Sequence, residues 1–248
     1  LKNEFSNNLS KYANPQEYDE TYKSYTSDLD FIQAHLSASP QSIIELACGT
    51  GRLAIPLAKQ GYTVYGVDID SGMLEYAQTK ADAEGVEIYF SVQDCTQFNL
   101  PVKSNFIYMT GNSFQHFLTN ESQDALFLSV KKHLQPNGEF IFDTRNPILQ
   151  ELAEVQFDEE VIRKNGELVT IKSQETYDSL TQILECKSTY TSSNHTYKDG
   201  IQLRYTYPLE MKRLLNQHGF ELVNLYGSWR KACFDASSVS MVVHARLK

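Results

Sequence analysis

The feature that most restricts the fold is an alternation that begins near residue 42. Short apolar runs rich in β-branched residues, each leading to a glycine turn or an acid, alternate with stretches of helical period. Residues 42–47 (SIIELA) run into Cys-Gly-Thr-Gly, residues 63–67 into Asp68, and residues 86–92 toward Asp94. Residues 105–109 and 139–143 make five predicted strands. Strands that alternate with helices form parallel sheets, and apolar runs of this kind belong to strands covered on both faces. Between them, residues 52–60 read as helical, with Pro56 tolerated only in the first turn. Residues 72–83 follow Asp70 or Ser71 as N-cap. Asn120-Glu-Ser-Gln123 resembles a capping box for a helix to about residue 134, and Gln135-Pro-Asn-Gly138 reads as a turn. Pro208 opens a last helix whose apolar stripe includes Leu209, Met211, Leu214 and Leu215, and which Gly219 stops. Residues 220–226 and 238–247 read as two closing strands.

Two regions depart from the alternation. Residues 155–206 have no helical stripe, are dominated by Thr, Val, Ile and Tyr, and carry turn signals at Asp178-Ser179 and Lys198-Asp-Gly200. They predict an antiparallel sheet inserted into the α/β unit. Residues 1–40 form a lead-in with helix: Tyr12, Tyr18, Tyr22 and Tyr25 recur at helix-like spacings, Leu29, Ile32 and Leu36 have helical period, and Ser39-Pro40 ends the segment.

The length of 248 residues suits one large domain or one domain with an insertion. A net charge of −9 argues against a nucleic-acid surface, which needs a basic face. No apolar run approaches the roughly 20 residues of a membrane span, and the polar, tyrosine-rich first 30 residues do not read as a signal peptide. Cys48, Cys95, Cys186 and Cys233 form no CxxC and no metal-ligand spacing, so we expect free thiols, a cytoplasmic protein and no metal.

The strongest constellation is Glu45-Leu-Ala-Cys-Gly49-Thr-Gly51 with Asp68 and Asp94, at the carboxyl ends of predicted strands, where open α/β sheets bind ligands. Gly49 and Gly51 permit positive φ and a close backbone approach. Asp68, 19 residues after Gly49, can accept from a ribose diol, and Asp94 from an exocyclic amine, so an adenosine-containing cofactor is expected. Gly49-Thr-Gly51-Arg-Leu-Ala54 also matches a dinucleotide fingerprint, which keeps a nicotinamide-dependent dehydrogenase as an alternative. Glu45 separates the two readings. A carboxylate inside an apolar strand needs a partner; a pyrophosphate would repel it and a cationic ligand would attract it.

The ordered set ELACGTGRLA, GVDIDSGML, QDCTQF, LQPNGEFIFD and LLNQHGFELV resembles the motifs of class I S-adenosylmethionine-dependent methyltransferases. The resemblance covers about residues 41–145 and 207–247. It implies a Rossmann-like seven-stranded α/β sheet with helices on both faces and the last strand antiparallel. Carried over by position, Glu45 would hold the methionine amino group through water or backbone. Ala47, Gly49 and Gly51 would line the methionine and sugar, and Asp68 would bind the ribose. Ile69 and Met73 would pack on the adenine, with Asp94 and the Cys95 N–H at its edge. Met109-Thr-Gly-Asn-Ser-Phe-Gln-His116 resembles the corresponding segment of small-molecule N-methyltransferases. By that likeness Thr110 and Gly111 would touch the cofactor, and Asn112, Ser113 and His116 would lie near the acceptor.

An unperturbed histidine titrates in the range of a general base, although a loop-capping role for His116 stands beside that one. Tyr12, Tyr18 and Tyr22 either form a lid with aromatic faces toward the sulfonium or pack a helix on the core. Arg52 reads as a solvated helix-start residue in preference to an acceptor contact. The expected organisation is a lead-in or lid over 1–40, a cofactor-binding core over 41–150 and 207–248, and an inserted sheet over 151–206 that walls the acceptor side. The expected function is methyl transfer to a small-molecule acceptor, nitrogen slightly favoured, by a monomer or homodimer. A non-catalytic S-adenosylmethionine binder is the third reading.

Overall fold

A computed structural model describes residues 8–36, 41–153, 155–164, 166–193 and 195–248; the predicted stop at Ser39-Pro40 lies outside the described residues. A 3-10 turn (Leu9–Tyr12), α1 (Pro15–Tyr22) and α2 (Ser27–Gln33) precede the sheet. The core then runs β1 (Ser42–Leu46), α3 (Ala54–Lys59), β2 (Thr63–Asp68), α4 (Ser71–Ala83), β3 (Tyr89–Val92) and β4 (Ser104–Met109). It continues through a second 3-10 turn (Ser113–His116), α5 (Asn120–His133), β5 (Leu134–Arg145) and the short α6 (Leu149–Leu152). Strands β6 (Gln156–Lys164), β7 (Glu167–Asp178), β8 (Ile183–Thr191) and β9 (Thr196–Arg204) follow. The chain closes with α7 (Pro208–Gln217), β10 (Phe220–Tyr226) and β11 (Ser240–Leu247).

Seven strands form one sheet in the order β10-β11-β5-β4-β1-β2-β3. The pairs β1–β2, β2–β3, β1–β4 and β4–β5 are parallel, and β11 runs antiparallel to both neighbours. The strand order reverses between β1 and β4. That reversal opens a crevice beyond their carboxyl ends. Two apolar layers cover the sheet, one holding Ile44, Leu46, Phe114, Phe127, Phe140 and Phe142, the other Ile43, Val64, Leu57, Phe106 and Tyr108. Burial on both faces is why these strands read as near-continuous apolar runs.

Local signals set the element ends, with four corrections. Asp70 caps α4 by accepting the Met73 N–H at 3.0 Å. Pro56 falls in the first turn of α3, as its missing N–H requires. Helix α5 is capped one residue earlier than its sequence suggests. Thr119 accepts from the Ser122 N–H, and the Ser122 hydroxyl accepts the Thr119 N–H. Gln135-Pro-Asn-Gly138 is absorbed into β5 as a bulge: Ser104 pairs with Leu134 but Phe106 with Glu139, and Asn137 takes φ +62°. The strand before Asp94 is shorter than predicted, covering only Tyr89–Val92. Lys198-Asp-Gly200 is not a turn but lies inside β9, since the reversal falls earlier, where the Ser192 N–H donates to the His195 carbonyl.

Strands β6–β9 form a separate antiparallel sheet in sequence order. Exposed and half-buried residues alternate along β7, the mark of a sheet with one solvated face. No helix among the described residues is long and apolar enough to cross a membrane.

Candidate active site

A cavity opens at the carboxyl ends of β1, β2 and β4. Ala47, Asp68, Ile69, Asp70, Met73, Asp94 and Cys95 form its floor and one wall. Gly111, Ser113, His116 and Phe117 form a second wall, and Asn8, Leu9, Tyr12 and Tyr18 cover it.

Backbone geometry fixes the floor. Ala47 and Gly49 take φ of +53° and +51°, which turns the chain sharply after β1. The Gly49 N–H donates to Asp68 Oδ2 at 2.7 Å and the Asp70 N–H to Asp68 Oδ1 at 2.9 Å, so both carboxylate oxygens are oriented by main chain. Burial raises the Asp68 pKa against the pull of those N–H groups. Asp94 Oδ1 accepts from the N–H and hydroxyl of Thr96, both at 2.8 Å, which fixes its carboxylate at the cavity wall.

Several expected residues lie elsewhere. Glu45 does not line the cavity. Side chains alternate along a strand, so Glu45 shares the face of Ile43 and sits in the buried layer, where it accepts from the Tyr108 hydroxyl at 3.0 Å. Desolvation lifts its pKa to about 8, so near neutral pH the group is largely protonated rather than a standing negative charge. Gly51 also lies off the cavity. A Cβ there would meet Ala77, Ile55 and Phe90 at 3.4 Å, so this glycine serves close packing of helix and sheet. Gly49 acts through its N–H on Asp68 rather than as lining. Thr110 is buried behind the wall, where its carbonyl accepts from the Ser113 hydroxyl at 2.7 Å. Asn112 takes a left-handed φ of +58°, and its N–H donates to the buried Asp143 at 2.9 Å. Tyr22 is 46% exposed and reaches the site only by packing on Tyr18 at 4.7 Å.

Arg52 is not a solvated helix-start residue. Its guanidinium grips the carboxylate of buried Asp28 on α2 with both terminal nitrogens, and one of them also donates to the Tyr25 carbonyl at 2.6 Å. Its neighbour Thr50 donates to Asp19 on α1 at 2.7 Å, and Lys80 of α4 donates to the same Asp19 oxygen at 2.6 Å. The side chains of the glycine turn therefore tether the N-terminal helices, while its backbone faces the cavity.

His116 changes most between sequence and structure. Its Nδ1 lies 2.9 Å from Asn8 Nδ2, and its Nε2 lies 3.0 Å from the Tyr12 hydroxyl. Desolvation pushes its pKa down to about 4. Both nitrogens are engaged and the ring is neutral at physiological pH, which removes it from the range of a general base. Burial pushes the Tyr18 phenol up to about 12 and the Tyr12 phenol higher still, so both hydroxyls are neutral donors.

The inserted sheet supplies none of the residues that line this cavity. It is hydrogen-bonded to the cover at Gln202, whose N–H donates to Asn8 Oδ1 and whose carbonyl accepts from Asn8 Nδ2, both at 2.8 Å. The sheet thus backs the cover of this cavity. Asn8, Leu9, Asp70 and Phe117 carry no site signal in the sequence. Asp70 reads there only as a helix cap. The four cysteines are free, with Cys48 and Cys95 buried and Cys233 exposed.

A Rossmann-like sheet with paired acids at its switch point defines a nucleoside-cofactor domain. Residues 43–138 match the family described as a methyltransferase domain. A putative methyltransferase of Geobacillus sp. (strain WCH70) is 30% identical over 126 residues, which is 49% of this chain and 51% of that protein; the chain thus aligns with about half of that relative's length. The CcbJ methyltransferase from Streptomyces caelestis superposes with a TM-score of 0.78 at 25% identity, covering 91% of this chain and 96% of that one. An S-adenosylmethionine-bound amino pentose methyltransferase from Micromonospora echinaspora gives a TM-score of 0.73 at 15% identity, covering 94% and 97%. Over residues 43–138 the chain matches a methyltransferase domain, and its fold is like that of S-adenosylmethionine-dependent methyltransferases.

Proposed function

We propose that this protein transfers the methyl group of S-adenosylmethionine to a small-molecule acceptor that presents an amine nitrogen. The observation that carries this reading is the charge of the covered cavity. Among the described residues Asp68, Asp70 and Asp94 line it, no Lys or Arg does, and His116 is neutral. A cationic sulfonium is attracted to such a site, whereas the pyrophosphate of a dinucleotide is repelled. This is the physical case against the dehydrogenase alternative.

The residues present fit a nucleoside joined to an amino acid. Asp68 is oriented to accept from a sugar diol and Asp94 from an exocyclic amine, while Ile69 and Met73 offer apolar surface to a base. S-adenosylmethionine, when bound, supplies a methyl group on a cationic sulfur. The protein's part is alignment and exclusion of water. Tyr12 and Tyr18 cover the cavity edge to face at 5.7 Å, and α1 is tied down through Asp19. Among the described lining residues, His116 titrates near 4 and the two phenols stay protonated at neutral pH, so none of the three serves as a base there, while Asp68 and Asp94 are engaged by the proposed cofactor contacts. The acceptor therefore brings its own lone pair, as a neutral amine does, and its proton leaves to solvent. Ser113 and Phe117 flank the space next to His116 and would contact that acceptor. The amino pentose methyltransferase of like fold acts on an amino-bearing small molecule, which supports the same acceptor class here.

The test is a screen of small amines and hydroxylated metabolites, read by S-adenosylhomocysteine release, beside calorimetry with S-adenosylmethionine and NADH. Turnover on an amine is the expected result. Tight NADH binding without S-adenosylmethionine binding would sink the proposal, and cofactor binding without turnover on any acceptor would favour the non-catalytic binder.

A further inference from the structure

The cover of the cavity contains a chain of hydrogen bonds whose direction can be assigned without seeing a proton. It starts at main chain. The Gln202 N–H is a donor, so the Asn8 oxygen, 2.8 Å away, is its acceptor. The amide orientation of Asn8 is then fixed, and its NH2 has two protons to give. One goes to the Gln202 carbonyl at 2.8 Å and the other to His116 Nδ1 at 2.9 Å. An NH2 cannot accept, so Nδ1 carries a lone pair. A neutral imidazole with a bare Nδ1 holds its proton on Nε2, and that N–H points at the Tyr12 oxygen 3.0 Å away. Tyr12 is thus an acceptor from His116, and its own proton must be directed elsewhere. Tyr12 and His116 both line the cavity, and among the described residues no protein acceptor is paired with that proton.

We propose that Asn8 is a positioning residue that locks His116 as the Nε2–H tautomer and so turns the Tyr12 hydroxyl proton into the cavity, as a neutral donor to the carboxylate of a bound S-adenosyl amino acid. This rests on the methyltransferase reading for the identity of the ligand, but not for the tautomer. Among the described residues that line this cavity there is no Lys or Arg, and its acids would repel a carboxylate, so a neutral hydroxyl donor is suited to hold one. The same chain gives the inserted sheet a role. Its β9 backbone sets the orientation of Asn8, two side chains away from the ligand, without touching the ligand itself.

The experiment uses the full chain labelled with 15N-histidine. In the wild type, the ring nitrogens of His116 report a bare Nδ1 and a protonated Nε2, unchanged between pH 8 and pH 5.5. Asn8→Asp replaces the NH2 by an acceptor oxygen of similar size, so Nδ1 gains a proton, either taken from solvent or exchanged for the one on Nε2. A merely structural role for Asn8 would not move this signature. In calorimetry, Asn8→Asp and Tyr12→Phe each weaken S-adenosylhomocysteine by roughly tenfold, the value of one hydrogen bond to a charged group. The double variant is no weaker than the worse single, because both act through one proton. Neither variant changes the affinity for 5′-deoxy-5′-methylthioadenosine, which lacks the amino-acid carboxylate.

A wild-type spectrum with Nδ1 protonated overturns the proposal. So does an Asn8→Asp spectrum with the wild-type tautomer, or equal losses for the two nucleosides. If Asn8→Asp fails to fold, the wild-type spectrum and Tyr12→Phe still decide. If wild type binds no S-adenosylhomocysteine at all, the methyltransferase reading fails while the spectrum judges the tautomer separately.

Discussion

The seven-stranded core and the four-stranded insert are both β-sheets, yet they relate to sequence and site in opposite ways. In the core, β1 is almost wholly buried and β11 carries five consecutive buried residues. In the insert, burial along β7 alternates and large apolar groups such as Phe157 and Leu168 stand in solvent. The core places chemistry at the ends of its strands. The insert places none there and acts through the main chain of Gln202. One sheet builds a site by where its strands stop; the other supports a site it does not line.

Substitutions that strike each region differently can break this comparison. The largest effect is expected at Asp68→Ala, which removes the acceptor proposed for the ribose. One to two charge-assisted hydrogen bonds at about 1.5–3 kcal/mol each correspond to a loss of roughly tenfold to several hundredfold or more in cofactor affinity. An unchanged dissociation constant in a folded variant would remove Asp68 from the site. Next is Phe142→Ala in the core, where Phe142 packs against Phe114, Phe127 and Phe140 at ring separations of 4.9, 5.9 and 4.7 Å. Emptying that position should cost about 3–5 kcal/mol in urea unfolding. A smaller cost would show that the aromatic layer collapses around the void.

A smaller effect separates the buried acids from ordinary ones. Glu45 and Asp143 have folded-state pKa values raised to about 8 and about 7, so the folded state binds protons that the unfolded chain has released. Stability of the ligand-free protein should therefore fall as pH rises through the interval from 6.5 to 8. Glu45→Gln, neutral throughout, should flatten that slope in melts taken across the interval; a parallel slope would mean Glu45 is not the group titrating. The smallest effect is expected at Phe157→Ser in β6, where the side chain is 73% exposed. A change within about 0.5 kcal/mol fits a solvated face, and a large loss would show that the insert buries this face on something.

Much of the fold is legible in the residues because the core strands are covered on both sides. Runs such as Ser42–Leu46 and Ser104–Met109 can hardly be anything but buried strands, and Asp70 announces the start of α4. The insert is legible from its composition, although its last reversal is misplaced. Asp199 and Gly200 are turn-forming residues, but pairing with Ser188 and Lys187 holds them in a ladder. The site is legible where it depends on strand ends, as with Asp68, Ile69, Met73 and Asp94. It is illegible where it depends on direction or long-range closure. Glu45 is one residue away from facing the other side of its sheet, and periodicity alone does not say which layer β1 presents to which helix.

The sequence by itself determined the alternation, hence the parallel sheet, the crevice at its reversal and the acids that stand there, because each follows from local period and strand ends. Tertiary structure decided the chemistry of His116. Burial lowers its pKa to about 4, and two contacts more than 100 residues away in sequence, Asn8 and Tyr12, occupy its nitrogens. Desolvation and hydrogen-bond direction arise only when distant segments meet, so no local pattern around residue 116 could encode them.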